Sequence, residues 1–242
     1  MAVLVVGVAM AVVPASKTGT ERLSSGAGDG YDPKGFNINT APPAGYPVQP
    51  LPPYVGAAHP SRRVAALGDS LLFFVALLDP DVLRPRPGWA VSAQTAAGSR
   101  WKDWAADIDQ VARMRPDVAL FELGTNSAKD QQGWGPDDSA MFHRYLDRTD
   151  DISCRLLVIP YVSPAAPPYA QRGMARAARD YRSEAVRRKG VRVVAWDTVA
   201  RGHPEYFADG THHTEVGRHA FGQLISRALD RACAGPPGRD LI

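Results

Sequence analysis

A hydroxyl becomes a useful nucleophile when a base can take its proton and a carboxylate orients that base. Residues 65–74 read AALGDSLLFF, two apolar runs broken by Gly-Asp-Ser. A plain loop needs no such tight break between two segments that both bury. A strand that stops, turns and presents the Ser70 hydroxyl at the head of a helix does need it. A helix N-terminus there favours developing negative charge. Far along the chain, ADGTHHTEVG offers Asp209 and His212 in D-x-x-H spacing. That spacing lets the carboxylate reach Nδ1 of the imidazole while Nε2 faces a serine. Donors for an oxyanion are also at hand. Gly98, in TAAGS, has no side chain to keep a ligand from its N–H; Asn126, in GTNS, carries an amide; the N–H of Ser70 is a third. The chemistry these residue types fit is acyl transfer through an acyl-serine. Singly, each has a plainer reading: an N-cap serine, a loop glycine, a capping asparagine, an Asp-Gly turn, surface histidines.

What unites them is the order of the elements that must carry them. Short apolar runs at 64–67, 89–94, 117–123, 156–160 and 191–196 read as five strands. Helical patterns lie between them, at 70–78, 101–114, about 138–150 and 169–189, and a last one at 214–232 follows. The buried stripe of that last helix is expected to be Val216, Ala220, Phe221, Leu224, Ile225, Ala228 and Leu229. Strands alternating with helices imply an α/β fold, a mostly parallel five-stranded sheet with helices on both faces. Right-handed crossovers then put every loop that follows a strand on one edge, where such sheets bind ligands. GDS, TAAGS, GTNS and ADGTHH all fall on that edge.

At these positions the chain resembles the SGNH (GDSL-type) hydrolases. GDS at 68–70, Gly98, GTN at 124–126 and DGTH at 209–212 are similar to the four sequence blocks of that family. The resemblance spans residues 63–233. It implies a flavodoxin-like three-layer α/β/α sandwich and a serine hydrolase of esters that needs no cofactor. It makes Ser70 the nucleophile, His212 the base and Asp209 its orienting acid, with Ser70, Gly98 and Asn126 forming the oxyanion hole. Two departures stand out: the first block continues as LLFF, and Ser127 follows Asn126 where many members carry Asp. The G-x-S-x-G elbow of the α/β-hydrolases is absent.

The remaining features bound the function. The chain has 242 residues, 45% hydrophobic and 22% charged, with a net charge of +3, an ordinary balance for a soluble domain with a tail. Its densest basic cluster, Arg187–Lys189, sits late in a helical pattern, where cations complement the helix dipole. No broad basic face with interleaved aromatics speaks for nucleic acid. Residues 1–15 form an apolar stretch of signal-peptide length, or an anchor, without a preceding basic residue. Export to the cell envelope or beyond is the expectation, with membrane or cell-wall proximity through this N-terminus. Residues 16–62 are rich in Pro and Gly and read as a linker or an arm lying on the domain, and 234–242 as a tail. Cys154 and Cys233 fall on the sheet edge opposite the site. A bridge between them would close a long loop, worth on the order of 4 kcal/mol, and two free thiols are an equal alternative.

Other residues invite functional readings. His212, His213 and His219 near Glu215 lack metal-ligand spacing, so no metal is expected. Asp197 competes with Asp209 as the acid, and D-x-x-H spacing favours Asp209. Arg100, Trp101 and Trp134 fall near the site mouth, to grip a sugar or to fill the core, and His213 is expected to face solvent. The expected substrate is a small-molecule or glycan ester, short acyl or O-acetyl rather than long-chain lipid. Alternatives are an acyltransferase to a sugar hydroxyl, a non-catalytic carbohydrate-binding domain, and a metal-dependent hydrolase.

Overall fold

A computed structural model describes residues 51–231, apart from 79, 84 and 85, together with residue 241. The strands are β1 (Val55–Gly56), β2 (Arg62–Gly68), β3 (Trp89–Thr95), β4 (Val118–Glu122), β5 (Cys154–Val158) and β6 (Val191–Val194). They form one sheet in the order β1-β3-β2-β4-β5-β6. From β3 to β6 every pairing is parallel, and β1 alone is antiparallel. Five parallel strands were expected, and they are present in the flavodoxin-like order; the sixth is a two-residue edge strand. In that order the connections reverse direction between β2 and β4, the crevice where such folds bind ligands.

The helices are α1 (Ser70–Leu78), α2 (Ala105–Met114), α3 (Thr125–Ala128), α4 (Pro136–Arg148), α5 (Pro168–Arg187), α6 (Trp196–Ala200) and α7 (Glu215–Asp230). The helix expected over 101–114 begins as a 3-10 turn, Trp101–Trp104, before α2. In β2, Ala65 and Leu67 face one core while Val64 and Ala66 face the other. The first core holds Trp101, Ile108, Phe142 and Tyr181 from the α2, α4 and α5 side. The second holds Leu71, Val75, Trp196, Phe221 and Leu224 from the α1, α6 and α7 side. A strand covered on both faces must be apolar throughout, which is why the strands read as near-continuous apolar runs.

The arm is laid on the domain from residue 51 onward. Leu51 is buried, and its N–H and C=O are clamped by the Gln110 side chain at 3.1 and 3.0 Å. Residues 1–15 and 16–50, and with them the leader-like stretch, lie outside the described residues. So does Cys233, whose bridge to the buried Cys154 is one of the two equal alternatives. Of the tail, Leu241 is described, and it pairs in parallel with Val194 of β6. Among the described residues no helix is long and apolar enough to cross a membrane.

In α7 the stripe is rotated from the expected one. Val216 is exposed and Gly217 is buried in its place, so close to Tyr206 that a Cβ on Gly217 would meet the Tyr206 carbonyl oxygen at 2.1 Å. The helix enters its contact through a missing side chain, which hydrophobic periodicity does not register.

Candidate active site

The turn after β2 presents Ser70. Asp69 caps α1: its Oδ1 accepts from the N–H of Leu71 at 3.0 Å, and its carbonyl accepts from Phe73 at 3.0 Å. With Asp69 doing the capping, the Ser70 hydroxyl is not needed as a cap and is turned to His212. Ser70 Oγ lies 3.3 Å from His212 Nε2, and His212 Nδ1 lies 2.6 Å from Asp209 Oδ2. The other Asp209 oxygen accepts from the N–H groups of Thr211 and His212, at 2.9 and 2.7 Å. Three expected residues, the nucleophile and base 142 positions apart in sequence, form one hydrogen-bonded relay.

That relay depends on how residues 206–214 fold. Phe207 and His213 form an antiparallel bridge, and the N–H of Ala208 donates to the carbonyl of His212 at 2.8 Å. Gly210 sits at the tip in the left-handed region, φ +85°, and its carbonyl accepts from Ser163 N–H at 2.8 Å, pinning the tip to the loop after β5. Thr214 then caps α7 by accepting from Gly217 N–H at 3.2 Å. Phe74, one turn along α1 from Ser70, packs edge-on to the His212 ring with centroids 6.1 Å apart. Burial would push the Asp209 carboxyl up. The hydrogen bond and charge of His212, with the two N–H donors, outweigh it and hold the group well below the usual carboxylate range.

The two other expected oxyanion donors, Gly98 and Asn126, lie on two further loops. Asn126 lies in α3 just past β4, reached through Gly124, whose φ of +109° and position against Tyr181 admit no side chain; a Cβ there would meet the tyrosine hydroxyl at 2.5 Å. The amide of Asn126 donates to the Ser99 carbonyl at 3.0 Å and to Asp69 Oδ2 at 3.2 Å. It therefore joins the loop after β3 to the nucleophile turn. Gly98 is exposed in that loop with φ +75°, immediately before Ser99. Ser127 braces the same region from inside, its Oγ accepting from Trp101 N–H at 3.4 Å.

Behind Ser70 lies a group that the sequence pattern did not single out. Glu122, the last residue of β4, is buried with Asp69, and its Oε2 accepts from the Asp69 N–H at 3.2 Å, which brings the two acids together. Burial pushes both up, and the Asp69 charge pushes Glu122 further, well above its ordinary value. A signal was present: Glu122 is the one charged residue between Val118 and Leu123, in a strand otherwise wholly apolar.

Several expected residues lie elsewhere. Trp101 and Trp134 are core residues, with indole N–H groups on Tyr181 at 2.8 Å and Asp180 at 2.7 Å. Neither can grip a ligand. Arg100 is bonded to Asp130 at 2.8 Å. Asp197 is held by Arg182 through two contacts of 3.0 and 2.9 Å, whereas the carboxylate on His212 is that of Asp209. His213 does not face solvent: its ring packs against Trp196 and Phe221 with centroids 4.9 and 4.7 Å apart. Burial, then the nearby charges of His212 and Arg218, push it down to about 3, so it stays neutral. His219 is on Gln223 at the surface. Among the described residues no three His, Cys, Asp or Glu side chains are grouped to hold a metal ion.

Comparison with solved structures decides the fold. A lipase/acylhydrolase from Enterococcus faecalis superposes with a TM-score of 0.52 at 18% identity, over 73% of this chain and 100% of that one. A member of the lipolytic protein G-D-S-L family from Veillonella parvula does so at 0.51 and 12% identity, over 69% and 96%. The fold is that of the SGNH hydrolases. A carbohydrate esterase family 3 protein from Talaromyces cellulolyticus shares it as well, at 0.53 and 14% identity, over 70% and 97%. No protein-family model matches the sequence, and no curated protein matches it. At such identities the likeness is one of fold.

Proposed function

We propose that this chain is a serine esterase that cleaves short acyl or O-acetyl esters of small molecules or glycans through an acyl-enzyme on Ser70. The observation that carries the reading is the relay from Ser70 Oγ to His212 Nε2 at 3.3 Å and from His212 Nδ1 to Asp209 at 2.6 Å. Ser70 attacks the ester carbonyl carbon while His212 Nε2 takes the hydroxyl proton. Asp209, held ionised, stabilises the resulting imidazolium and keeps the ring in the orientation that presents Nε2. The carbonyl oxygen becomes an oxyanion facing the N–H groups of Ser70 and Gly98 and the amide of Asn126. In the free site both amide hydrogens of Asn126 have acceptors, so the longer contact, to Asp69, is the one that must share with the oxyanion. Each such donor is worth about 3 kcal/mol of barrier. Collapse expels the alcohol, which takes its proton from His212. Water, deprotonated by the same ring, then attacks the acyl-serine and frees the acid.

Support for an ester substrate comes from the neighbours, among them an acetyl esterase and carbohydrate esterases of family 3. The half-buried rings of Phe73 and Phe74 beside the nucleophile give a small apolar acyl group a surface to lie on. The leader-like stretch at 1–15 supports a secreted or cell-envelope setting, to which a Cys154–Cys233 bridge would be suited.

The test is hydrolysis of p-nitrophenyl acetate, butyrate and octanoate by the wild type, Ser70→Ala and His212→Ala, with and without chelator. Activity that resists chelator, falls in both variants and declines from acetate to octanoate is expected. A wild type no faster than Ser70→Ala on every ester would sink the reading. Transfer of the acyl group to an added sugar in preference to water would move it to the acyltransferase alternative.

A further inference from the structure

The acyl-transfer cycle leaves two carboxyls unused, directly behind the nucleophile. Asp69 follows β2 and Glu122 ends β4, paired strands in which Gly68 stands opposite Glu122 in register. Their contacts tie the whole site together. Glu122 Oε2 accepts from the N–H groups of Asp69 at 3.2 Å and Leu72 at 3.1 Å. Asp69 Oδ1 accepts from Leu71 N–H at 3.0 Å, and the Asp69 N–H also reaches the Glu122 carbonyl at 3.0 Å. Asp69 Oδ2 accepts from the amide of Asn126 at 3.2 Å. The N–H groups on both sides of Ser70 are therefore held by carboxylate oxygens, and the one between them is Ser70's own.

Two carboxylates this close and this buried cannot both be ionised, so the pair holds one proton and one charge. The surroundings decide where each resides. Lys129 and His212 act on Asp69 and favour the charge there. Glu122 feels the Asp69 charge, which favours its neutral form. The proton stays on Glu122 and points at Asp69.

We propose that Glu122 is a positioning residue of the hydrolytic site, a neutral acid whose O–H donates to Asp69 and so fixes both the Ser70 turn and the Asn126 amide. This rests on the reading of Ser70 as nucleophile. Glu122 touches no substrate; it acts through Asp69. With the Glu122 proton on it, Asp69 pulls less strongly on the Asn126 amide, and that amide is free to lean toward the oxyanion as charge develops. A charged acceptor with no second donor would instead compete with the oxyanion for it. A merely structural pair would cap α1 equally well whichever group carried the proton.

The experiment compares wild type, Glu122→Gln and Glu122→Leu in the full chain, by p-nitrophenyl acetate kinetics and by thermal melting from pH 5 to 8. Glutamine keeps a donor toward Asp69 and an oxygen for the two N–H groups; leucine keeps neither. Glu122→Gln is expected to hold kcat within a few-fold of wild type. Glu122→Leu is expected to lower kcat by on the order of 10²-fold with KM little changed, as small displacements of reacting groups do.

The melting curves test the proton itself, whether or not the leucine variant folds. A carboxyl whose folded pKa is raised stabilises the fold below its unfolded value, about 4.3, and that contribution is lost as pH rises toward the folded value. The wild type should therefore lose ground steadily to Glu122→Gln between pH 5 and 8. A gap in Tm that does not change with pH would overturn the proposal. So would a glutamine variant as slow as the leucine one, or a folded leucine variant with wild-type kcat. If the wild type hydrolyses no ester, the esterase reading fails by itself, and the melting gap still decides whether the folded pair keeps a proton that Glu122→Gln does not need.

Discussion

Ser70 is flanked by two acidic devices that share a residue type and little else. In front, Asp209 is half exposed, bonded to an imidazole and two N–H groups, and held in its ionised form. Behind, Glu122 and Asp69 are buried against each other, and burial drives both toward the protonated form. In the proposed cycle the front acid works as a charge that must be present while a proton moves past it. The rear pair works as a fixed set of hydrogen bonds in which a charge too many would be destructive. The difference follows from neighbours: a histidine that can become a cation stands before Asp209, whereas Glu122 faces another carboxyl.

Variants in front should strike turnover far more than the fold. His212→Ala is expected to lower kcat by about 10⁴-fold or more with its melting temperature close to wild type, since loss of one triad member nearly abolishes the relay. A folded variant with substantial residual turnover would mean that another base serves Ser70. Asp209→Asn should come next, at on the order of 10³-fold in kcat, because the amide can hold the ring in the wrong tautomer. Its stability signature is opposite in sign to that of Glu122. A depressed carboxyl contributes stability that is complete above its unfolded value, about 3.9, and lost as pH falls toward the folded one. Asp209→Asn should thus melt below wild type at pH 6–8, with the gap closing under about pH 3; a gap that widens in acid would contradict the assignment.

Variants behind should strike the fold first. Gly124→Ala forces a side chain into the left-handed region and onto the Tyr181 hydroxyl, at a cost of about 1–3 kcal/mol. Denaturant titration measures it, and an unchanged midpoint would refute the close approach. The smallest effect is expected of Tyr181→Phe, whose hydroxyl accepts from Trp101 Nε1 at 2.8 Å and donates to the Leu123 carbonyl at 2.7 Å. Its removal should cost about 1–2 kcal/mol of stability and change kcat by less than about threefold. A larger fall in kcat than in stability would show that the rear network reaches the chemistry through this phenol too.

The front of the site was legible in the sequence and the rear was not. Ser70, Asp209 and His212 announce themselves because turn chemistry, short spacing and chain order all bear on them. Glu122 lies in DVALFEL, where the apolar run reads as a buried strand and a lone acid passes for its end. Its role comes from Asp69, 53 residues away, through a strand register that no local pattern encodes. His213 departs from expectation for a related reason: the bridge between Phe207 and His213 turns the second histidine inward just as it turns the first toward Ser70. Tryptophans 101 and 134 have helical spacing that suits a mouth or a core equally well, and only the packing of Phe142 and Tyr181 against them decides for the core. The edge strand is invisible in the sequence because two residues in a Pro-rich stretch carry no alternation to read.

That edge strand has a bearing on how the protein meets other chains. An open parallel sheet leaves a row of unpaired N–H and C=O groups on each outer strand, a template for pairing with another chain. Here Val55 and Gly56 cover part of the β3 row, and Leu241 occupies part of the β6 row, donating to the Val193 carbonyl at 2.9 Å and accepting from Ala195 N–H at 3.0 Å. Neither segment belongs to the strand–helix alternation. Both pair with part of an outer strand and so shorten the row that another chain could join.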